Sequence, residues 1–235
     1  MPNRFSDRIV LVAGGTGGLG RAVSLAFLRE GAKVHVTYRS DAEFSALQKV
    51  AGAYATSLHG HRADVTSESD ADALVAAMGA VDVLVNAVGA YAGGTALWET
   101  GVQTFERMMS VNVISGFVLS RSIVPLMLRR RSGVIVNVSS RSAVDHAAGA
   151  SAYAASKAAA LAMMDSLAAD LRGTGIRVNT VLPSIIDTEA NRAAMPDADF
   201  AKWPRPEDIA RVILFLCSED AELIHGAAVP VYGTS

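Results

Sequence analysis

Tyr153 and Lys157 are the two side chains in this sequence whose types and spacing could support proton transfer. They are four residues apart in a helical pattern, so both project from the same face of the helix. A free tyrosine has a pKa near ~10, and a neighbouring ammonium group favours the phenolate and lowers that pKa toward the range useful for acid–base catalysis. The same spacing also occurs by chance on the surfaces of many helices, so the pair alone does not identify a catalytic site.

A glycine-rich turn near the start of the chain has the pattern of a phosphate-binding loop. Gly14, Gly18 and Gly20 follow a strand-like run and open a helical one, with the spacing GxxxGxG. Glycines let the backbone approach a phosphate closely, and the free N–H groups at a helix N-terminus favour an anion. The stretch alone could be a simple tight turn, but its place between a strand and a helix predicts a dinucleotide site.

The end of the second strand-like run indicates which dinucleotide would bind. In dinucleotide-binding folds a carboxylate at this position accepts from the 2′-hydroxyl of NAD, whereas a basic group pairs with the 2′-phosphate of NADP. The run ends in Tyr38, Arg39 and Ser40, without a carboxylate. Because the guanidinium of Arg39 matches a phosphate, we expect a preference for NADP, with NAD as the alternative. Otherwise Arg39 is an ordinary surface arginine.

Strand-like and helix-like runs alternate along the chain, which predicts a doubly wound α/β fold. The strand-like runs are almost continuously apolar, as in strands buried on both faces of a parallel sheet. We expect one dinucleotide-binding and catalytic domain over residues 1–235, with a Rossmann-type, mostly parallel sheet of seven strands, helices on both faces, and an irregular substrate-covering segment over residues 184–206. The expected strands are 8–13, 33–38, 58–63, 81–88, 133–138, 176–182 and 228–231, and the expected helices are 18–30, 41–51, 67–78, 106–130, 151–172 and 206–217.

Further motifs follow in a fixed order along nearly the whole chain, and together they resemble the short-chain dehydrogenase/reductase family. The glycine turn is similar to the family's TGxxxGIG, with Ala13 in place of Thr and Leu19 in place of Ile. The other matches are an adenine-binding acid at Asp64-Val65, the NNAG-like Asn86-Ala87-Val88-Gly89, the catalytic tetrad Asn112, Ser140, Tyr153 and Lys157, and the PGxxxT-like Pro183-Ser184-Ile185-Ile186-Asp187-Thr188. Each motif is weak alone, but the ordered set is specific.

The resemblance implies a role for each member of the tetrad. Tyr153 would exchange a proton with the substrate oxygen, and Ser140 would hold and polarise that oxygen. Lys157 would lower the pKa of Tyr153 and bind the nicotinamide ribose. Asn112 would hold a water that connects Lys157 to solvent.

The resemblance also implies a set of cofactor contacts at the ends of the strands. Ile186 and Thr188 would contact the nicotinamide carboxamide. The full set of expected cofactor-binding residues is Gly14, Thr16, Gly18, Leu19, Gly20, Arg39, Ser40, Asp64, Val65, Asn86, Ala87, Gly89, Tyr153, Lys157, Pro183, Ile186 and Thr188. The chain departs from the family pattern at Ala87, at Ser184 and at its end, where residues 231–235 replace a DGG-like turn.

Composition narrows the range of partners and compartments. The formal net charge of −2 gives no reason to expect nucleic acid or an anionic membrane as a partner. No run approaches the ~20 apolar residues that span a bilayer, and residues 1–7 lack an apolar signal core, so we expect a cytoplasmic protein. No Cys/His cluster has zinc-ligand spacing, so no catalytic metal is expected. The single cysteine, Cys217, lies in an apolar run that predicts a buried thiol.

Several functions fit at least part of these patterns. The first is an NADP-preferring oxidoreductase for a small carbonyl or alcohol, assembled as a homotetramer or homodimer through the two longest helices. An NAD-dependent alcohol dehydrogenase and a non-catalytic nucleotide sensor share the fold, but a sensor has no need of the complete tetrad. A sugar-nucleotide epimerase needs an extra domain, and a methyltransferase explains the glycine turn only. Tyr91, His146 and Trp203 are candidate substrate contacts, with turn, solvated loop and core as their alternatives.

Overall fold

The computed structural model describes residues 3–234 and contains one seven-stranded sheet. The strand order is β3-β2-β1-β4-β5-β6-β7, and every neighbouring pair is parallel. This arrangement confirms the predicted Rossmann-type fold. The strands are β1 (Ile9–Ala13), β2 (Lys33–Tyr38), β3 (Leu58–Arg62), β4 (Val83–Asn86), β5 (Gly133–Val138), β6 (Ile176–Pro183) and β7 (Ala228–Val231).

The helices connect these strands and differ from the predictions at two places. The predicted helix 106–130 begins earlier, at Val102, and a π-turn at Ser110–Ile114 interrupts it; the segment 184–206, predicted to be irregular, contains a short helix. The helices are α1 (Gly18–Arg29), α2 (Asp41–Ala51), α3 (Glu68–Met78), α4 (Val102–Met109), α5 (Ser115–Arg130), α6 (Ser151–Asp170), α7 (Glu189–Ala194) and α8 (Pro206–Cys217).

Each face of the sheet supports its own apolar core. In β1, Val10 and Val12 pack into the cluster formed with α1, α2 and α8. The alternate residues Leu11 and Ala13 pack into the second cluster, with α3, α5 and α6. Because successive side chains of a strand point to opposite faces, both sets must be apolar, which explains the continuous apolar runs in the sequence.

The strand order reverses direction at β1. The chain runs from β1 to β2 and β3 on one side of the sheet, and then returns to β4 on the other side of β1. In an open parallel sheet the crevice at such a switch point, beyond the carboxyl ends of the strands, is the usual ligand site. The glycine turn, the loop after β4 and the end of β5 all lie at this edge.

The helical run Val102–Arg130 is apolar enough to require an explanation. By length and composition alone it could cross a bilayer, with a mean hydropathy of 1.6 over its most apolar window, and the expectation of no such run was wrong in this respect. However, 44% of that window is buried, and Val118 and Ile123 lie in the second core cluster. Packing against the sheet therefore accounts for the apolar composition of its inner face.

Three histidines stack on one face of the sheet edge. The ring of His35 on β2 lies 4.8 Å from that of His59 and 5.1 Å from that of His61, both on β3. His35 Nδ1 and His61 Nε2 are 2.8 Å apart. Burial, with smaller contributions from His61, His59 and Lys33, lowers the pKa of His35 to about 4. His35 is therefore uncharged near neutral pH, and burial lowers the pKa values of His59 and His61 as well.

Candidate active site

Helix α6 places Tyr153 and Lys157 at the carboxyl end of β5. Lys157 is buried, and its Nζ donates to the carbonyl oxygen of Val138 at 3.1 Å. The hydroxyl of Ser139 donates to the carbonyl oxygen of Lys157 at 2.9 Å. These two bonds join α6 to the end of β5 and hold the lysine in one position.

The pKa values in this pair differ from the expectation. Burial lowers the pKa of Lys157 to about 8. Burial also raises the pKa of Tyr153, and a hydrogen bond with Ser140 only partly opposes that rise. The predicted lowering of the tyrosine pKa by Lys157 is therefore not produced by the protein alone, because the ammonium of Lys157 is directed to Val138.

Ser140 follows β5 and faces Tyr153. Its hydroxyl oxygen accepts from the backbone N–H of Ser142 at 3.1 Å, where it begins a short 3₁₀ turn. Because the oxygen is engaged as an acceptor, its hydrogen remains available to be donated to Tyr153 or to a substrate oxygen. The arrangement suits the polarising role that the sequence implies.

Asn112 lies in the π-turn between α4 and α5 and is buried. Its side-chain oxygen accepts from the N–H of Ala90 at 2.8 Å. Its amide nitrogen donates to the carbonyl oxygen of Ala90 at 3.0 Å and to the hydroxyl of Ser156 at 2.9 Å. Asn112 thus fixes the loop after β4 against α6. Sequence reasoning missed Ser156, for which the only signal was a polar residue in an alanine-rich helix.

Gly89 brings this loop close to the lysine. A Cβ at this position would lie 3.2 Å from Lys157 Nζ and 3.3 Å from Asn112 Oδ1. These distances are tight for a carbon atom, so only glycine fits without displacement. Gly89, Asn112 and Lys157, all members of the expected site, therefore lie next to one another.

The glycine turn fits the pyrophosphate of a dinucleotide. The N–H of Gly14 donates to the Thr37 hydroxyl at 2.9 Å, which joins the turn to the end of β2, and a Cβ on Gly20 would collide with the carbonyl oxygen of Gly14. Helix α1 begins without a side-chain cap and without an acidic residue in its first turn. Its N-terminal N–H groups are therefore left to a ligand, and an anion suits them.

The adenosine end of the crevice is lined by charged side chains. Arg39 Nη2 lies 3.3 Å from Asp64 Oδ1, and both side chains are more than half exposed. Asp64 also accepts from the N–H and hydroxyl of Thr66, and these bonds lower the pKa of Asp64. Ser40 caps α2. The side chain of Val65 lies in the core, so only its backbone could contact a cofactor.

The side chains of two of the expected cofactor residues, Asn86 and Leu19, are buried beneath the crevice. Asn86 is buried, donates to Asn137 Oδ1 at 3.0 Å and accepts from the N–H of Val88 at 3.3 Å. Leu19 is 8% exposed and packs in the first core cluster. Their side chains hold the surrounding turns in place, whereas the N–H of Ala87 donates to the carbonyl oxygen of Ala13 and joins β4 to β1.

The segment after β6 covers the glycine turn. Pro183 ends β6, and Thr188 caps α7 by accepting from the N–H of Asn191 at 3.2 Å. The Thr188 methyl group packs on Gly18, where a Cβ would come within 2.7 Å of it. The carbonyl oxygen of Ile186 accepts from Asn191 Nδ2 at 2.8 Å. Residues expected at the nicotinamide end therefore lie over the start of α1.

The segment at residues 231–234, which departs from the family pattern, lies beside the loop that follows β5. The Ser184 hydroxyl donates to the carbonyl oxygen of Tyr232 at 2.7 Å. The guanidinium of Arg141, the residue after Ser140, lies 5.2 Å from the centre of the Tyr232 ring. The replacement of Gly by Ser184 in the family pattern thus anchors the terminal segment.

Of the three candidate substrate contacts, Tyr91, His146 and Trp203, only Tyr91 contacts a residue of the tetrad. Its ring lies edge-on to that of Tyr153, with centroids 4.9 Å apart, and it is 66% exposed. His146 is exposed, and its Nδ1 lies 3.1 Å from the carbonyl oxygen of Ser142. Trp203 is buried and packs against Phe200.

The chain is similar to known dehydrogenases and reductases over nearly its whole length. The short chain dehydrogenase family pattern matches residues 8–199, and the chain belongs to that family and is an oxidoreductase. It is 35% identical to 2-(R)-hydroxypropyl-CoM dehydrogenase of Xanthobacter autotrophicus, over 97% of this chain and 98% of that protein. It is 30% identical to the 3-oxoacyl-(acyl-carrier-protein) reductase of Thermotoga maritima, over 98% of each chain. The solved structure of ElxO with NADP bound superimposes with a TM-score of 0.90 at 26% identity, over 96% of this chain and 97% of that one.

Proposed function

We propose that this protein is a cytoplasmic, NADP-preferring oxidoreductase that interconverts a small secondary alcohol and its ketone, with Tyr153 as the general acid and base. The observation that carries the proposal is the convergence of Ser140, Tyr153 and Lys157 at the carboxyl end of β5, beside the loop of Gly89. The two curated relatives described above support the substrate class, since the name of each specifies a secondary alcohol or a ketone.

The protein's own groups would orient the substrate and move the proton. The Ser140 hydroxyl donates to the carbonyl oxygen and stabilises the negative charge that develops there. Tyr153 donates its phenolic proton to the same oxygen during reduction and accepts it during oxidation. A bound nicotinamide dinucleotide would supply or accept the hydride. The positive charge of Lys157 and that of the oxidised ring would together lower the pKa of Tyr153, which burial raises.

Residues at the two ends of the crevice would hold the dinucleotide. The uncapped start of α1 suits the pyrophosphate, and Lys157 suits the ribose hydroxyls near the nicotinamide. Arg39 would pair with the 2′-phosphate of NADP. Similar solved structures hold either NADP or NAD, so the preference rests on Arg39 alone. An NAD-dependent alcohol dehydrogenase is the second candidate, because Arg39 already has a carboxylate partner in Asp64.

We also propose a substrate cover and an assembled state. Residues 184–206 form one domain with the remainder of residues 1–235 and cover the substrate, with α7 at the centre of the cover. The exposed apolar side chains of α4, of the π-turn, of α5 and of the turn before α4 would be buried between copies of the chain in a homotetramer or homodimer. These side chains are Leu97, Trp98, Val102, Phe105, Ile114 and Phe117.

The central test is a panel of secondary alcohols and ketones, assayed by nicotinamide absorbance with NADP(H) and NAD(H) in parallel. We expect turnover of at least one pair, with higher kcat/KM for the phosphorylated cofactor. Turnover restricted to NAD(H) would favour the second candidate. Tight dinucleotide binding without turnover of any carbonyl or alcohol would contradict the proposed activity.

A further inference from the structure

Glu43 occupies an unexpected position at the adenosine end of the crevice. It is the third residue of α2, after the N-cap Ser40, and the sequence Ser-Asp-Ala-Glu is that of a capping box. In a capping box the glutamate side chain returns to the backbone N–H of the N-cap residue. Here the Glu43 carboxylate accepts instead from the Thr16 hydroxyl, at 3.0 Å. The carboxylate therefore lies against the glycine turn rather than serving only its own helix.

The contacts of the neighbouring residues place Glu43 beside the expected ribose site. Thr16 belongs to the turn that suits the pyrophosphate, and the turn is itself bonded to the end of β2 through Gly14 and Thr37. Ser40 accepts from the N–H of Glu43 at 3.4 Å. Arg39 precedes Ser40, the N-cap of α2, and its guanidinium is paired with Asp64, so Glu43 and Arg39 both belong to the segment that follows β2 at the adenosine end of the crevice.

The charges at this corner do not favour a phosphate as strongly as Arg39 alone would. The guanidinium of Arg39 forms an ion pair with the carboxylate of Asp64. The pKa of Asp64 is lowered, so this carboxylate is ionised at neutral pH. Glu43 adds a second carboxylate that is exposed. With the neighbouring Arg62–Asp41 ion pair included, three carboxylates accompany two guanidinium groups at the ends of β2 and β3. A 2′-phosphate brings up to two further negative charges, whereas a 2′-hydroxyl brings none and can donate to a carboxylate.

We infer that Glu43 is a specificity-determining residue that weakens the binding of 2′-phosphorylated adenosine and thereby keeps NAD(H) a usable cofactor. The inference rests on the proposed NADP preference and extends it, since Glu43 opposes Arg39 at the same subsite. It requires no direct contact with the phosphate. Unit charges interact across a distance comparable to the Debye length of about 8–10 Å, and Glu43 is held within one hydrogen bond of the glycine turn.

The test is the binding of two small probes to the Glu43→Gln variant, measured by calorimetry without any turnover. Adenosine 2′,5′-bisphosphate carries the 2′-phosphate, and adenosine 5′-monophosphate lacks it. Glutamine keeps an oxygen that can accept from Thr16, so the variant removes the charge and preserves the contact. We expect the bisphosphate to bind about fivefold more tightly at low salt, with the gain reduced at high salt, and the monophosphate to change less than twofold.

Two further variants separate this inference from the proposed function. Glu207→Gln removes the same charge from the first turn of α8 and should leave the preference between the probes unchanged. Arg39→Ala should weaken the bisphosphate only. If Arg39→Ala has no effect while Glu43→Gln still tightens the bisphosphate, the assignment of Arg39 is wrong and that of Glu43 stands. An unchanged or weaker affinity of Glu43→Gln for the bisphosphate overturns the inference about Glu43.

Discussion

The ammonium group of Lys157 is bonded to a backbone carbonyl oxygen, that of Val138, at 3.1 Å. A neutral acceptor compensates a buried positive charge only in part, and burial lowers the pKa of this lysine to about 8. The protein therefore holds a charge at the end of β5 at a cost to its own stability. Such a cost is typical of residues kept for function.

Replacing Lys157 by methionine should stabilise the fold and abolish turnover. Below pH 8 the folded wild type carries a buried charge, which methionine lacks, so we expect the free energy of unfolding at pH 7 to rise by about 1–2 kcal/mol. The folded lysine loses its proton above about pH 8 and the unfolded one only above ~10.4, so wild-type stability rises between these values and the difference shrinks. Denaturant titrations across this range check the prediction, with Lys49→Met, at an exposed position, as the control. A variant less stable than wild type at pH 7 would contradict it.

Removal of the Tyr153 hydroxyl should abolish proton transfer without affecting cofactor binding. We expect Tyr153→Phe to lower kcat by about 10²–10⁴-fold, the usual contribution of general acid–base catalysis, with the dissociation constant of NADPH within about twofold of wild type. Tyr91→Phe removes the other phenol of the edge-on pair and should keep most of the activity. Equal losses in the two variants would mean that Tyr153 is not the proton donor.

Arg39 should determine most of the cofactor preference. We expect wild-type kcat/KM to favour NADPH over NADH by about 10- to 100-fold, and Arg39→Ala to remove most of that ratio through a higher KM for NADPH. Steady-state kinetics with both cofactors measure this. Arg29→Ala, at the far end of α1, is the matched control. A wild-type preference for NADH would show that a group other than Arg39 determines which adenosine ribose the protein binds.

The histidine stack should make the fold sensitive to acid. His35 has a folded pKa of about 4, below the unfolded value of about 6.5, so the unfolded chain binds the proton first and stability is lost as the pH falls between these values. We expect the free energy of unfolding to fall by up to about 1.4 kcal/mol per pH unit in this range. His35→Leu should reduce the slope, whereas His146→Gln, in an exposed loop, should not. An unchanged slope in His35→Leu would assign the acid sensitivity to other groups.

The exposed apolar side chains before and along α4 and α5 should mediate assembly. Light scattering at micromolar concentration is expected to give two or four times the monomer mass. Phe117 lies on α5 and is 48% exposed. Phe117→Glu would bury a negative charge in the interface and should therefore yield monomers. Val50→Glu introduces the same charge at an exposed position on α2 and should leave the mass unchanged. A monomeric wild type would refute the proposed assembly.

The sequence predicted the fold well because a strand that is buried on both faces of the sheet is apolar at successive positions. Val10, Leu11 and Val12 are all buried, so an apolar run appears wherever a strand is central. The ordered motifs also predicted residues that the structure brings together at the end of β5, namely Ser140, Tyr153 and Lys157. The helix boundaries were harder to predict. Val102 and Phe105 belong to α4 but are exposed, so their apolar side chains do not follow the pattern of a buried helix face.

The contacts between distant residues were not predictable from local pattern. Asn112 depends on Ala90 and Ser156, which are 22 and 44 residues away. The Glu43 carboxylate had two available partners, its own N-cap backbone and Thr16, and only the packing of α2 against the glycine turn selects the second. The pKa of Tyr153 likewise depends on burial by residues from several elements, which spacing along one helix does not reveal.

The π-turn at Ser110–Ile114 amounts to one surplus residue within an otherwise continuous helix. Each residue of an α-helix advances about 100° around its axis, so a one-residue deletion here would rotate α5 by that angle relative to α4. Either Asn112 would turn away from Ala90, or Val118 and Ile123 would turn out of the core. A change of one residue in the length of this segment is therefore incompatible with keeping both the Asn112–Ala90 bond and the buried face of α5.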